Sequence, residues 1–578
     1  VFVDKTSNAA LVVELTDALI LLGKAKEGGG LYVQRGGKLI MDRAMVTENV
    51  AARGGGMDVA PRSSVSIENT LFETNRAIAS LTTPWGGNGG GVAMYNPGDG
   101  YDRVLDDDTD EMIKVPRPRG GSLTVVKSIF RRNKAKQGGG LASSKTLQVR
   151  LQWVLLEENS AEKAGAALFD DSEDVTIDSV YFSKNIATQN GGAVACTTSG
   201  LVGTKVWIKN GAWFDGNVAS SGDGGAIVLS DKNEAFSSLL ISRYVPESTK
   251  SSEVGPPSSK TTVSMLVLSD RKERERMVQG DSDEDVTITS SEYPLGVLFT
   301  NNHASNGGAI ALVGSRVRSH TSNPGRALLL SNTADKSGGG VYVIAGGTAD
   351  PTQTPRDTEI FEVDFVSCKA LGTSEVPVDG GGGMYIGGAY VDRSPVKVGN
   401  CQFRSNFANG RGGGILATYT QLDMNTTLSG DGKVTLFYNN KAKAGGGLAS
   451  EGSYVALSDV LFVSNVAEDR GGAMLINRDP VYSVPRKKKD QSDIHVSLRT
   501  PDDPFEFIAF ALARVVIEGG SAGKKGGSIA ITNMPESTFV ASRLTIQGAY
   551  VAPTCPSLNK GKKLRTFLTP RKTTTASA

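Results

Sequence analysis

The sequence predicts an all-β chain wound as a right-handed parallel β-helix, a solenoid of about fourteen coils of roughly 26 residues carrying loop insertions. Three observations predict it. Glycine is in excess and clustered in pairs and triplets. A Phe-x-x-Asn element recurs at a fixed offset before those glycines. Between the cassettes lie short stretches that alternate or are β-branched, such as Ser122-Leu123-Thr124-Val125-Val126 and Asp174-Val175-Thr176-Ile177. They read as strands, and none has the length or 3.6-residue period of a helix.

The chain holds 70 glycines in 578 residues, where ordinary usage gives roughly 40. The clusters begin near Gly28, Gly54, Gly89, Gly138, Gly165, Gly191, Gly224, Gly307, Gly338, Gly380, Gly412, Gly445, Gly471 and Gly526. The shortest spacings are 26 or 27 residues. Longer spacings read as the same coil with an inserted loop. Flexible linkers have no reason to place Phe and Asn at fixed offsets, so the clusters mark corners, where glycine permits a tight turn or a positive φ.

The Phe-x-x-Asn form stands at Phe72/Asn75, Phe130/Asn133, Phe182/Asn185, Phe214/Asn217, Phe299/Asn302, Phe403/Asn406, Phe437/Asn440 and Phe462/Asn465. Val46/Asn49, Leu156/Asn159 and Leu329/Asn332 are apolar variants. Three short strands and three turns fill one period. Stacking coil on coil pairs each strand with its copies at roughly 4.8 Å, and crossovers between parallel strands favour the right hand. Phe is then expected to stack on Phe in the interior. Asn is expected at a turn, where its side chain satisfies backbone groups, tolerates unusual dihedrals and forms an amide ladder. A leucine-rich repeat has an overlapping period but requires Leu-x-x-Leu-x-Leu before the Asn, which does not recur.

The cassette resembles the repeat of the chlamydial polymorphic outer-membrane proteins, Gly-Gly-Ala-Ile/Val/Leu with Phe-x-x-Asn. Here it stands as Gly191-Gly192-Ala193-Val194, Gly224-Gly225-Ala226-Ile227 and Gly307-Gly308-Ala309-Ile310. The resemblance covers roughly residues 20 to 530 and implies a parallel β-helix in a surface adhesin. Members of that family end in a membrane barrel. About fifty residues follow Gly527, without a series of alternating ten-residue strands, so a distant relative without an autotransporter barrel is expected. Triple glycine also outnumbers Gly-Gly-Ala.

Residues 1–552 read as a single solenoid, with insertions near 95–118, 231–290 and 478–505, and 553–578 as a basic, disordered tail. The second insertion has room for one degenerate coil near Val263–Leu268. Ala10–Val13 and Ile20–Leu22 read as coil strands rather than a cap. Exposed coil ends therefore point to other copies or domains as partners. The chain begins at Val1 with neither an initiator Met nor a signal-peptide pattern, as expected of a processed protein or a segment of a longer one.

Charge is balanced, 62 Lys+Arg against 61 Asp+Glu, which argues against nucleic acid as partner. No apolar run is long enough for a transmembrane helix. The acidic runs Asp106–Glu111 and Asp281–Asp285 lack EF-hand spacing, so no metal and no cofactor is expected. Three histidines, His303, His320 and His495, leave few candidates for imidazole chemistry, and Asp170, Asp171 and Asp174 are the best acid cluster. Cys368 takes the Asn slot of its coil, and Cys401 lies five residues before the slot filled by Asn406. That offset, roughly 16 Å of strand, is too long for a disulfide. Asn425-Thr426-Thr427 is the one N-glycosylation sequon. The reading is a non-enzymatic extracellular or cell-surface protein, adhesin-like or a fibre-forming structural component. Its candidate ligands are a glycan or a cell-surface protein. The alternative is a polysaccharide lyase or hydrolase.

Overall fold

A computed structural model describes residues 2–3, 12–78, 86–95, 101–105, 112–116, 120–198, 204–231, 238–242, 296–314, 316–319, 327–345, 358–373, 379–388, 396–425, 434–477, 510–532, 539–548 and 550–551. The chain is a right-handed parallel β-helix. Three parallel sheets of fifteen strands each run along it. The first extends from Phe2–Val3 to Ile529–Thr532, the second from Val12–Thr16 to Phe539–Ser542, and the third from Leu19–Leu21 to Thr545–Gln547. One typical coil is Leu141–Ser144, Gln148–Gln152 and Leu155–Glu157, followed by Ser160–Ala161 in a fourth, narrower sheet.

Two features of the expected coil need correction. There are fifteen levels rather than about fourteen, because Phe2–Val3 pairs with Tyr32–Val33 without a glycine cluster of its own before it. There are also four sheets rather than three. The fourth runs through eleven strands to Tyr550–Val551 and through three more at the start, joined by the bridges Arg76–Lys134 and Lys134–Ser160.

Side-chain alternation explains why these segments form strands. In the five-residue strands of the second sheet residues two and four point inward, as in Val149/Leu151, Val175/Ile177 and Val206/Ile208, all buried, while in Val396–Gly399 it is residues one and three, Val396 and Val398. In the three-residue strands of the third sheet the middle residue points inward, and in the four-residue strands the first and third, as in Val297/Phe299 and Val460/Phe462; the large rings sit there. Phe72 stacks on Phe130 at 4.8 Å, Phe182 on Phe214 at 4.6 Å and Phe214 on Phe299 at 4.8 Å. Phe365, Phe403, Phe437 and Phe462 continue the column. Each fully buried ring contributes roughly 2–3 kcal/mol relative to exposure.

The glycine triplet divides three tasks. At the first position φ is positive, 62° at Gly138. At the second, the carbonyl oxygen of the next coil approaches closely, and a Cβ on Gly139 would lie 2.2 Å from the Gly165 oxygen. The third tolerates Ala, as at Ala166, Ala193, Ala226, Ala309 and Ala473. Pairing moves two triplets by one residue from their expected starts. Ala164, with φ 56°, rather than Gly165 fills the first position of its coil. Gly381 rather than Gly380 does so in the coil before Met384.

The second insertion holds no extra coil in the stack. Ser238–Ser242 belongs to the second sheet, and Trp213–Asp215 pairs directly with Leu298–Thr300. The residues between, 243–295, include Val263–Leu268 and lie outside the described set. The insertion after Tyr95 carries an antiparallel hairpin, Tyr101–Leu105 with Met112–Pro116. Residues 478–509 and 552–578 also lie outside the described set.

Candidate functional site

The corner between the third and fourth sheets is the most regular feature of the molecule. Among the described residues, fourteen coils place two residues between the third-sheet strand and the fourth-sheet residue that follows, from Leu22-Gly23 to Gly519-Gly520. The first of the two has positive φ, and it is seldom glycine: Glu48, Thr74, Arg132, Glu158, Lys184 and Asn301 all adopt it. The second is Asn in eleven coils, from Asn49 to Asn465, and Gly23, Cys368 or Gly520 in three others. The unusual dihedral therefore belongs to the residue before the Asn, which corrects the expectation that the Asn itself carries it.

Each Asn with an Asn on both neighbouring coils has its side chain fully employed. Asn185 Oδ1 accepts from the backbone N–H and from Nδ2 of Asn159, one coil earlier, at 3.0 and 3.1 Å. Its Nδ2 donates to Asn217 Oδ1 at 3.0 Å and to the Leu156 carbonyl at 2.8 Å. The same set repeats through Asn49, Asn75, Asn133, Asn159, Asn217 and Asn302. It resumes at Asn406 and Asn440 and ends at Asn465, which accepts from Asn440 and donates to the Phe437 carbonyl at 2.9 Å. Every one of these residues is buried. A fully satisfied buried amide network stabilises strongly, and it leaves no group free to meet a ligand.

Cys368 interrupts the ladder and imitates it. Its backbone N–H donates to Asn406 Oδ1 at 2.9 Å, and its thiol donates to the Leu329 carbonyl at 3.4 Å. Asn332 Nδ2 approaches its sulfur at 4.0 Å. Burial pushes the thiol up to about 12, so it stays protonated and inert. Cys196 and Cys401 are likewise buried. Cys401 donates to the Ile360 carbonyl at 3.4 Å in the turn before Gln402. Cys555 lies outside the described residues.

The acid cluster is placed in a turn. Asp170 ends Ala167–Asp170, where its carboxylate accepts from Thr197 at 2.6 Å and Ser144 at 3.2 Å. Burial raises its pKa, with these hydrogen bonds opposing. Asp171 is buried with φ 49°, and Asp174 is exposed on the second sheet. His303 is a strand residue of the fourth sheet, its Nε2 2.9 Å from Asp335. His320, His495 and both acidic runs lie outside the described residues. Asn425 ends Gln421–Asn425 in register with Ser458, while Thr426 and Thr427 are outside that set.

Two arrangements carry no sequence signature. On the outer side of the first sheet Asp58 is fully buried beneath Arg53, which donates to it twice, at 2.9 and 2.8 Å. Arg53 also reaches Glu27 and lies 5.4 Å from the Tyr95 ring centre. On the fourth sheet a depression of about 410 Å³ is lined by Lys369, Leu371, Ser405, Asn406, Phe407, Asn439 and Lys441. Lys369, Phe407 and Lys441 occupy the same position on three successive coils.

With this geometry in place, comparison with known families is specific to two coils. Residues 179–197 and 296–312 match the Chlamydia polymorphic membrane protein repeat. Each matched segment runs from the third-sheet Phe across the Asn corner and the Gly-Gly-Ala triplet into the first sheet: Phe182, Asn185 and Gly191 in one, Phe299, Asn302 and Gly307 in the other. The similarity to that repeat therefore falls on the residues that build the stack. No curated protein and no solved structure matches the chain. Among the described residues there is no group of three or more His, Cys, Asp or Glu placed to hold a metal ion, and no helix long and apolar enough to cross a membrane.

Proposed function

We propose that this chain is a non-enzymatic extracellular surface or scaffold protein, an adhesin-like or fibre-forming rod that presents its insertions. One observation carries the reading: labour is divided around the coil. The corner between the third and fourth sheets keeps two residues in the fourteen coils where it is described. The long excursions leave from either side of the second sheet, between Tyr95 and Ser122, Asn477 and Phe510, and Ser242 and Val297. A rigid frame with variable loops on one side suits display and binding. Similarity of two coils to a membrane-protein repeat supports a cell-surface setting, with Asn425 as a candidate glycosylation position.

The packing of the terminal coils supports the same reading of their partners. Val13, Leu15 and Ile20 at one end and Ile529, Leu544 and Ile546 at the other are only partly buried against the core. Another copy or another domain would cover them. The discriminating experiment incubates the purified rod with cells and with a panel of polysaccharides. Saturable attachment without new reducing ends or unsaturated sugars is the expected result. Release of shortened polysaccharide would instead establish a lyase or hydrolase.

A further inference from the structure

The depression on the fourth sheet has the chemistry of a small ligand site. Lys369, Phe407 and Lys441 stand one above another on successive coils, so the two ammonium stems flank the ring, with their Cα atoms roughly 10 Å apart. Ser405 and Asn439 contribute a hydroxyl and an amide from the corner, and Leu371, 40% exposed, closes one side. No carboxylate lines the hollow. The nearest is the buried Asp379 of the Lys369 coil, whose Oδ2 would lie 2.6 Å from a Cβ on Gly372, the neighbour of Leu371. The acids on the fourth-sheet strands here are one coil beyond the hollow. Asp335, engaged with His303, precedes Lys369, and Glu468 follows Lys443.

We infer that this hollow binds a carboxylated sugar, with its carboxylate between Lys369 and Lys441, its apolar ring face on Phe407 and its hydroxyls toward Ser405 and Asn439. Four properties select that class. The positive pair asks for an anion. The phenyl ring asks for an apolar face. The neutral donors and acceptors at Ser405 and Asn439 ask for hydroxyls. About 410 Å³ admits one or two sugar rings and little more. The inference rests on the non-catalytic binding reading above and gives it a ligand class.

The test uses the full chain over immobilised uronic-acid oligomers, a sialylated oligosaccharide, the same glycans with the carboxyl reduced to an alcohol, and an oligoglutamate peptide. Saturable binding is expected to at least one carboxylated glycan, and about tenfold weaker binding to its reduced form, as for loss of one charge-assisted contact. Lys369→Met, Lys441→Met and Phe407→Ser should each weaken it at least about fivefold, while Arg150→Met on the second sheet leaves it unchanged. Unaltered melting of the variants keeps the comparison valid. No binding to either carboxylated glycan overturns the site, as does equal binding of the reduced forms, of oligoglutamate, or by the three variants. Retained glycan binding by the Lys369→Met/Lys441→Met double variant would sink this site and leave the adhesive reading standing. Shortening of the glycan would sink that reading instead.

Discussion

At the scale of single residues, one amide position governs the molecule. Asn185→Ala removes the acceptor for two donors of Asn159 and the donor to the Leu156 carbonyl. Leaving such buried groups unmade costs about 1–3 kcal/mol each, so a loss of roughly 3 kcal/mol or more is expected in urea melts. Cys368→Asn runs the other way. It restores a strong acceptor for Asn332, and a gain of about 1 kcal/mol is expected. A fall in melting temperature would show that the cavity is fitted to sulfur. Asp58 adds a pH dependence. Burial holds its pKa at about 6 against a usual 3.8, with Arg53 opposing. The folded chain thus binds that proton more tightly than the unfolded chain. The contribution is fullest below about pH 3.8 and is lost as pH rises through about 6. The stability of the parent relative to Asp58→Asn should therefore fall by roughly 2–3 kcal/mol between about pH 4 and 7. A flat or rising difference would contradict the assignment.

At the scale of elements, the glycine triplet gives an internal control. A Cβ on Gly139 would lie 2.2 Å from the Gly165 oxygen and 2.7 Å from the Ser160 oxygen, both backbone. A Cβ on Gly140 would lie 3.0 Å or more from its nearest neighbours, since Leu156 rather than Phe faces it. Gly139→Ala is expected to abolish soluble folding, and Gly140→Ala to change the melting temperature little. The same elements show what sequence reading captures. The inward pairs of the second sheet are visible because their period of two is uninterrupted. The fourth sheet is hidden because strands such as Ser160–Ala161 and Ile186–Ala187 bury one alanine each and read as turn. Phe365 escapes a Phe-x-x-Asn search because Cys368 fills the Asn slot. Glu48, Thr74 and Arg132 carry no mark of a left-handed dihedral, which the neighbouring Asn bonds impose. The hollow around Phe407 is invisible for another reason. Lys369 and Lys441 meet it only through stacking of coils separated by intervening loops.

At the scale of the whole molecule, the claim is continuity: one stack of fifteen coils whose repeated residues are consumed in holding it together. The stretch between Ser242 and Val297 is where continuity is least apparent from the sequence. The most direct measurement is cross-linking across it. Asp215 and Thr300 are register partners on adjacent coils although 85 residues apart. Asp215→Cys with Thr300→Cys places two thiols about 5 Å apart by strand spacing. Asp215→Cys with Leu298→Cys is two residues out of register, about 8 Å apart. Mild oxidation followed by mass spectrometry should find the first disulfide and not the second. The second pair linking in preference to the first, or neither pair linking, would contradict a stack in which Phe214 rests directly on Phe299.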